Sequence, residues 1–230
     1  LLLYLVPLPA RDIAIKKTED GRTLLLFSTT YFNKGLGALE LRGDLSTTTL
    51  DLQTPREVVQ RIYRTGGEYR DMGVGNFSWH AEHSHYHFNA FIEYDLEAVD
   101  APQHEDLSGS RIKGTFCVRD VSKVDLELHN RAAEAAYLKC DNNLQGVSVG
   151  WGDTYYYNYP NQNIDISNLS SGTYRMKFIV NPELHLQELD YNNNTSGVLF
   201  LVDMKKGTVE VLEETPKDLP RVEHVHLEIP

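Results

Sequence analysis

Thr173–Val180 reads TYRMKFIV, alternating apolar and polar side chains before it stops at Asn181-Pro182. A side-chain period of two is that of an extended strand, and Asn-Pro is a turn signal. Comparable segments recur along the chain. Arg22–Tyr31 is rich in β-branched and aromatic residues and runs into the glycine-rich Asn33-Lys34-Gly35-Leu36-Gly37, after which Ala38–Leu41 resumes an apolar pattern and predicts a hairpin. Thr115–Val118 and Gly146–Trp151 read as two more strands, and Gly197–Asp203 with Thr208–Leu212 flank Met204-Lys205-Lys206-Gly207 as a terminal hairpin. Asn130–Leu138 has the Ala and Glu content of a short helix, while Pro55–Arg64 suits a helix or a strand. The sum predicts an all-β chain: a β-sandwich with an immunoglobulin-like strand pattern, long loops and one or two short helices. It is expected to form one domain over residues 1–212, with a polar tail over 213–230.

Length and charge narrow the function. A chain of 230 residues can bury a sizeable core without help from metals or many disulfides. Its net charge of −11 makes it a poor partner for nucleic acid, whose phosphates need clustered Lys and Arg. The same charge raises the local concentration of cations, amines and metal ions among them. No run of about 18 apolar residues is present, so no spanning helix is expected. The opening Leu1–Val6 is too short for a signal peptide, and since the chain does not begin with Met this says nothing about an export signal upstream. Oligomeric state is not legible.

Residues 79–87 read Trp79-His80-Ala81-Glu82-His83-Ser84-His85-Tyr86-His87, and hold four of the nine histidines. On an extended strand His83, His85 and His87 share a face. Three neutral imidazoles there suit Cu(II) or Zn(II). Alternate Cα atoms lie about 6.6 Å apart, so the outer two start about 13 Å apart and the strand must bend to bring them onto one ion. His80 has the opposite parity and reads as a structural or supporting residue. The competing reading is a solvent-facing histidine strand or a pH-sensitive patch. A second His-x-His, His224 and His226, reads as incidental.

The stretch Trp-His-x-x-His-x-His-Tyr-His, followed by Phe91 and Tyr94-Asp95-Leu96, resembles the copper-binding motif of the lysyl oxidase family. Lys113-Gly-Thr-Phe-Cys117 resembles that family's Lys-x-x-Phe-Cys segment, and Gln145-Gly-Val-Ser-Val-Gly-Trp151 with Asp153-Thr-Tyr155 resembles its Gln-Gly-Ile-Ser-x-Gly-Trp-x-Asp-x-Tyr segment. Ile164-Asp-Ile166, Gly172-Thr-Tyr174, Asn181-Pro182 and Glu188–Asn193 extend the likeness, which covers roughly residues 4–200. With few cysteines, the sequence looks more like microbial members than animal ones.

The resemblance implies copper held by His83, His85 and His87, and a lysine tyrosylquinone made from Lys113 and Tyr155. The Asp-x-Tyr frame after Trp151 selects Tyr155 over its neighbours Tyr156, Tyr157 and Tyr159. The implied reaction is oxidative deamination of primary amines by dioxygen, giving aldehyde, ammonia and hydrogen peroxide. Lysyl side chains and small alkyl amines are the implied substrates. Asp153 is the candidate base, since a desolvated carboxylate accepts a proton near neutral pH; a turn or hydrogen-bonding Asp is the alternative. Cys117 and Cys140 read as one disulfide, consistent with a secreted or cell-surface location, or as two buried thiols. Two other functions remain open: a non-catalytic extracellular surface or adhesion module with a structural metal, and a zinc hydrolase, which leaves Lys113 and Tyr155 unexplained.

Overall fold

Apolar and β-branched side chains fill Thr23–Asn33, TLLLFSTTYFN, and the segment is buried over most of its length, as a strand covered on both faces must be. Around it the computed structural model describes residues 1–44, 46, 51–100, 111–124 and 127–224, with the backbone alone for 111, 113 and 224. The first eight strands are β1 (Leu5–Pro7), β2 (Arg11–Lys17), β3 (Thr23–Asn33), β4 (Leu39–Gly43), β5 (Arg56–Tyr63), β6 (Tyr69–His80), β7 (His85–Asp100) and β8 (Arg111–Phe116). The rest are β9 (Ser122–Val124), β10 (Leu144–Val147), β11 (Trp151–Tyr155), β12 (Asn163–Asp165), β13 (Gly172–Val180), β14 (Thr195–Asp203), β15 (Thr208–Thr215) and β16 (Val222–His224).

Two antiparallel sheets result. The smaller runs β1-β3-β11-β9-β16, with β2 and β12 also paired to β3; the larger runs β10-β4-β5-β6-β7-β13-β14-β15, with β8 on β7. Their inner faces share one core, in which Leu25, Phe27 and Tyr31 of the small sheet meet Phe91, Tyr94 and Phe178 of the large one. Edge-to-face rings join the layers: Phe27 to Tyr94 at 4.8 Å and Tyr31 to Phe91 at 4.9 Å between centroids. The all-β expectation holds.

The expected short helices do not form; among the described residues there is no helix. Pro55–Arg64 contains β5, whose Val58, Gln60 and Ile62 point inward on alternate positions. Asn130–Leu138 is irregular although its composition favours a helix. Its backbone groups bond to the sheets instead: Ala132 N–H donates to the Val149 carbonyl, and Ala136 and Tyr137 N–H donate to Oδ2 of the buried Asp120. The Trp151 indole donates to the Ala132 carbonyl. Tertiary partners have replaced the i to i−4 bonds that a helix needs.

The hairpin expected after Asn33 is also absent, because β3 and β4 lie in different sheets. Asn33 sits at the crossing, where its amide donates to the carbonyls of Gly37 and Val147 and its oxygen accepts from Tyr4 and Gly35 N–H. A Cβ on Gly35 or Gly37 would stand 2.6 Å from the backbone of Leu1–Leu3, so these glycines serve the close approach of the segment that precedes β1. The terminal hairpin does form, as β14 and β15 joined through Gly207 at φ +68°. Of residues 213–230, 213–215 complete β15 and 222–224 form β16 on β9. His226 lies outside the described residues.

Candidate metal centre and catalytic cleft

β6 ends at His80 and β7 begins at His85. Between them His83 and Ser84 N–H donate to the carbonyls of His80 and Ala81, and Ser84 takes φ +55°. His83 therefore sits in a tight turn, not on the strand that the alternation predicts. The turn supplies the bend that a straight strand lacks, bringing His83 Nδ1 to 3.2 Å and His85 Nε2 to 2.9 Å from His87 Nε2.

His80 joins the same cluster. It is the register partner of His85 across the hairpin, as Ser78 is of His87. Directly opposed residues of an antiparallel pair share a face, so the parity that separates His80 on one unbroken strand does not survive the turn. The His80 ring stacks on His87 at 4.5 Å and 18°. His80, His83 and His87 each offer a ring nitrogen within 4.8 Å of the others. His80 Nδ1 is buried without a hydrogen-bond partner among the described residues.

Burial keeps the imidazoles neutral. It is the main cause holding His83 below its ordinary value, His85 down to about 4 and His87 down to about 2, with the neighbouring histidines adding to it. Nδ1 of His87 lies 2.9 Å from Thr115 Oγ1 on β8, and the Thr115 backbone also favours a proton on the ring. With Nδ1 beside Thr115, the other ring nitrogen, Nε2, faces His83 and His85.

Tyr155 ends β11 beside this cluster, its ring 6.3 Å from His87 and 6.4 Å from His83 between centroids. Phe116 of β8 stacks on it at 3.6 Å and Tyr159 meets it edge-on at 5.8 Å. The hydroxyl accepts from Cys117 N–H at 2.9 Å. Cys117 is disulfide-bonded to Cys140, with Cα atoms 5.3 Å apart, as the sequence led us to expect. Burial first, then the nearby Asp153, hold the Tyr155 phenol well above its ordinary value.

Asp153 lies two residues earlier on β11, fully buried. Its oxygens accept from Thr154 N–H at 2.8 Å and Arg119 N–H at 3.3 Å. Burial pushes its carboxyl up to about 7, against the pull of the Arg119 charge and those two bonds. Asp153, Tyr155, His83 and His85 all line one cleft of about 260 Å³, with Arg119, Tyr159 and the disulfide on its walls. Lys113 occupies β8 opposite Glu93, three positions before Phe116; its side chain lies outside the described residues.

Residues 67–210 match the lysyl oxidase family, well over half of the chain. The chain belongs to that family. It is similar to the protein-lysine 6-oxidase of Gallus gallus, with 37% identity over 120 residues that cover 52% of this chain and 26% of the relative. The Sus scrofa protein-lysine 6-oxidase has the same identity over 120 residues, 44% of its own length. Lysyl oxidase homolog 3A of Danio rerio is 30% identical over 146 residues, 59% of this chain and 18% of the relative. The chain thus spans less than half the length of these curated relatives. The part matched to the lysyl oxidase family includes the histidine hairpin, β8 and β11.

Sequence reading missed what supports these residues. The 80/85 pairing follows once the break at 81–84 is placed, but the unbroken alternation hid it. Nothing in the spacing marks Thr115, 28 positions from His87, or Arg119, 34 positions from Asp153. Among the described residues no helix is long and apolar enough to cross a membrane.

Proposed function

We propose that this chain oxidises primary amines to aldehydes, consuming dioxygen and water and releasing ammonia and hydrogen peroxide, with copper and a lysine tyrosylquinone derived from Lys113 and Tyr155. One observation carries the reading. A buried tyrosine stands between a cluster of neutral histidines and a buried carboxylate, in a single cleft.

The residues fit a metal. Bonds of about 2 Å from one ion to two nitrogens place those nitrogens about 3 Å apart; the pairs at His87 stand at 2.9 and 3.2 Å. His83, His85 and His87 would hold the copper, with Thr115 beside the His87 ring; His80, whose ring nitrogen lies within 4.8 Å of those of His83 and His87, is a further donor in reach. Bound copper would supply the redox chemistry that converts the Tyr155 phenol to a quinone, and the quinone an electrophilic carbonyl for the amine.

The protein does the rest. Phe116 and Tyr159 hold the Tyr155 ring in place, and the Cys117 N–H fixes its oxygen. Asp153 is suited to take the substrate's α-proton, because a carboxyl titrating at about 7 is a stronger base than an exposed one and still ionises near neutral pH. In the alternative, a non-catalytic extracellular module with a structural metal, Asp153 would only accept its two backbone bonds, and its place beside Tyr155 in the cleft would go unused. The disulfide suits an oxidising, extracytoplasmic compartment, and one catalytic unit over residues 1–212 is the corresponding domain assignment, with 213–215 and 222–224 joined to it through β15 and β16.

Peptide mass mapping after expression with copper and air tests the reading. A joined species carrying both Lys113 and Tyr155 is the expected result. Two separate, unmodified peptides from fully copper-loaded protein would overturn it.

A further inference from the structure

A net charge of −11 draws cations toward the molecule, yet the cleft itself contains a fixed cation. Arg119 is half-buried in the cleft wall beside Asp153, Tyr155 and Tyr159, and its charge acts on all three. Among the described residues no carboxylate stands within 4.0 Å of its guanidinium. Asp153 feels the Arg119 charge without closing an ion pair with it, and its two oxygens accept from the backbone N–H groups of Thr154 and of Arg119 itself. Glu82, the other acid on the wall, is engaged by the Asn161 amide.

A half-buried arginine on the cleft wall keeps its forked donors available to a ligand. A carboxylate placed there gains two parallel charge-assisted hydrogen bonds, whereas a second ammonium meets like charge. The cleft, about 260 Å³, is small for a ligand pocket and calls for a short chain.

We infer that Arg119 makes this cleft a receptor for short primary amines that carry a carboxylate, of which ω-amino carboxylates are the simplest class. The inference rests on the amine-oxidase reading above and names its substrate. The amine end reaches toward Tyr155 and Asp153 while Arg119 holds the acid end. Long-range attraction by the acidic surface and selection inside the cleft then act in opposite senses. Amines gather near the protein, and the guanidinium turns away those with a second positive charge.

Equilibrium titration of ω-aminohexanoate, hexanediamine and hexylamine into the copper-loaded protein tests this, at about 150 mM salt to damp the long-range field. The amino carboxylate should bind about tenfold more tightly than either of the others. Arg119→Met should abolish that advantage and Arg119→Lys should keep part of it, both with unchanged near-ultraviolet circular dichroism. Hexanediamine binding as tightly as the amino carboxylate would overturn the inference, as would an undiminished advantage in Arg119→Met; if Arg119→Met does not fold, Arg119→Gln serves in its place. Peroxide release from the same three compounds is read separately. Its absence from all three would count against the oxidase reading, and the binding order would still decide the role of Arg119.

Discussion

Thr115 Oγ1 stands 2.9 Å from His87 Nδ1, so a residue of β8 orients a β7 histidine whose other nitrogen, Nε2, faces His83 and His85. A partner of this kind fixes ring orientation, and its loss typically costs about 10- to 100-fold in metal affinity. Thr115→Ala should weaken copper binding by that order while leaving the thermal midpoint nearly unchanged, and Thr115→Ser should restore it. A competition titration against a chelator reads both. Full affinity in Thr115→Ala would mean that the ring is held by packing alone.

Asp153 ties activity and stability to pH in opposite directions. As a base it must be ionised, so kcat/KM should rise as pH passes through about 7. Because its folded value is raised, the stability it contributes is full below its ordinary 3.8 and is lost as pH rises through about 7. The gap corresponds to a cost on the order of 4 kcal/mol once the buried group is fully charged. Asp153→Asn should therefore lower turnover at every pH, yet its thermal midpoint relative to the parent should climb as pH rises from about 4 to about 7 and level off above that. A midpoint difference that does not vary with pH would contradict this account.

Much of the architecture is legible in the chain. β13 and the β14–β15 hairpin follow from alternation and turn chemistry, and Asp153 and Tyr155 share a strand face because they are two residues apart. What is not legible depends on groups remote in sequence. The segment after Asn130 has helical composition, but the carboxylate of Asp120 and the carbonyl of Val149 claim its N–H groups. Gly35 and Gly37 look like a hairpin turn, and their role becomes clear only when Leu1–Leu3 lie against them. His80 reads as facing away until the turn at 81–84 reverses the chain and sets it opposite His85.

Asp120 should be among the most sensitive structural positions. Fully buried, it accepts from Ala136, Tyr137 and Ser148 N–H and from the Ser148 hydroxyl, tying the irregular segment to the loop before β11. Asp120→Ala strands those donors in the interior and should cost about 3–5 kcal/mol in denaturant unfolding, with Asp120→Asn costing less. A loss below about 1 kcal/mol would show that the segment is held by other contacts.

The Cys117–Cys140 bond closes a loop with a sequence separation of 23. Constraint of the unfolded chain over that length contributes on the order of 3 kcal/mol. The double variant Cys117→Ala with Cys140→Ala should lose about that much in equilibrium unfolding. It should also lose turnover, because the bond anchors the Cys117 backbone, whose N–H holds the Tyr155 oxygen. Unchanged stability would mean that the loop is equally restricted without the bond.

Hydrogen peroxide release from primary amines, by copper-loaded and aerobically matured protein, tests the central claim most directly when the parent is set beside Tyr155→Phe. The variant keeps every histidine and the ring packing, and loses only the hydroxyl that accepts from Cys117. The account predicts release by the parent and none by Tyr155→Phe, with copper content nearly equal in the two. Equal release from both proteins would contradict it.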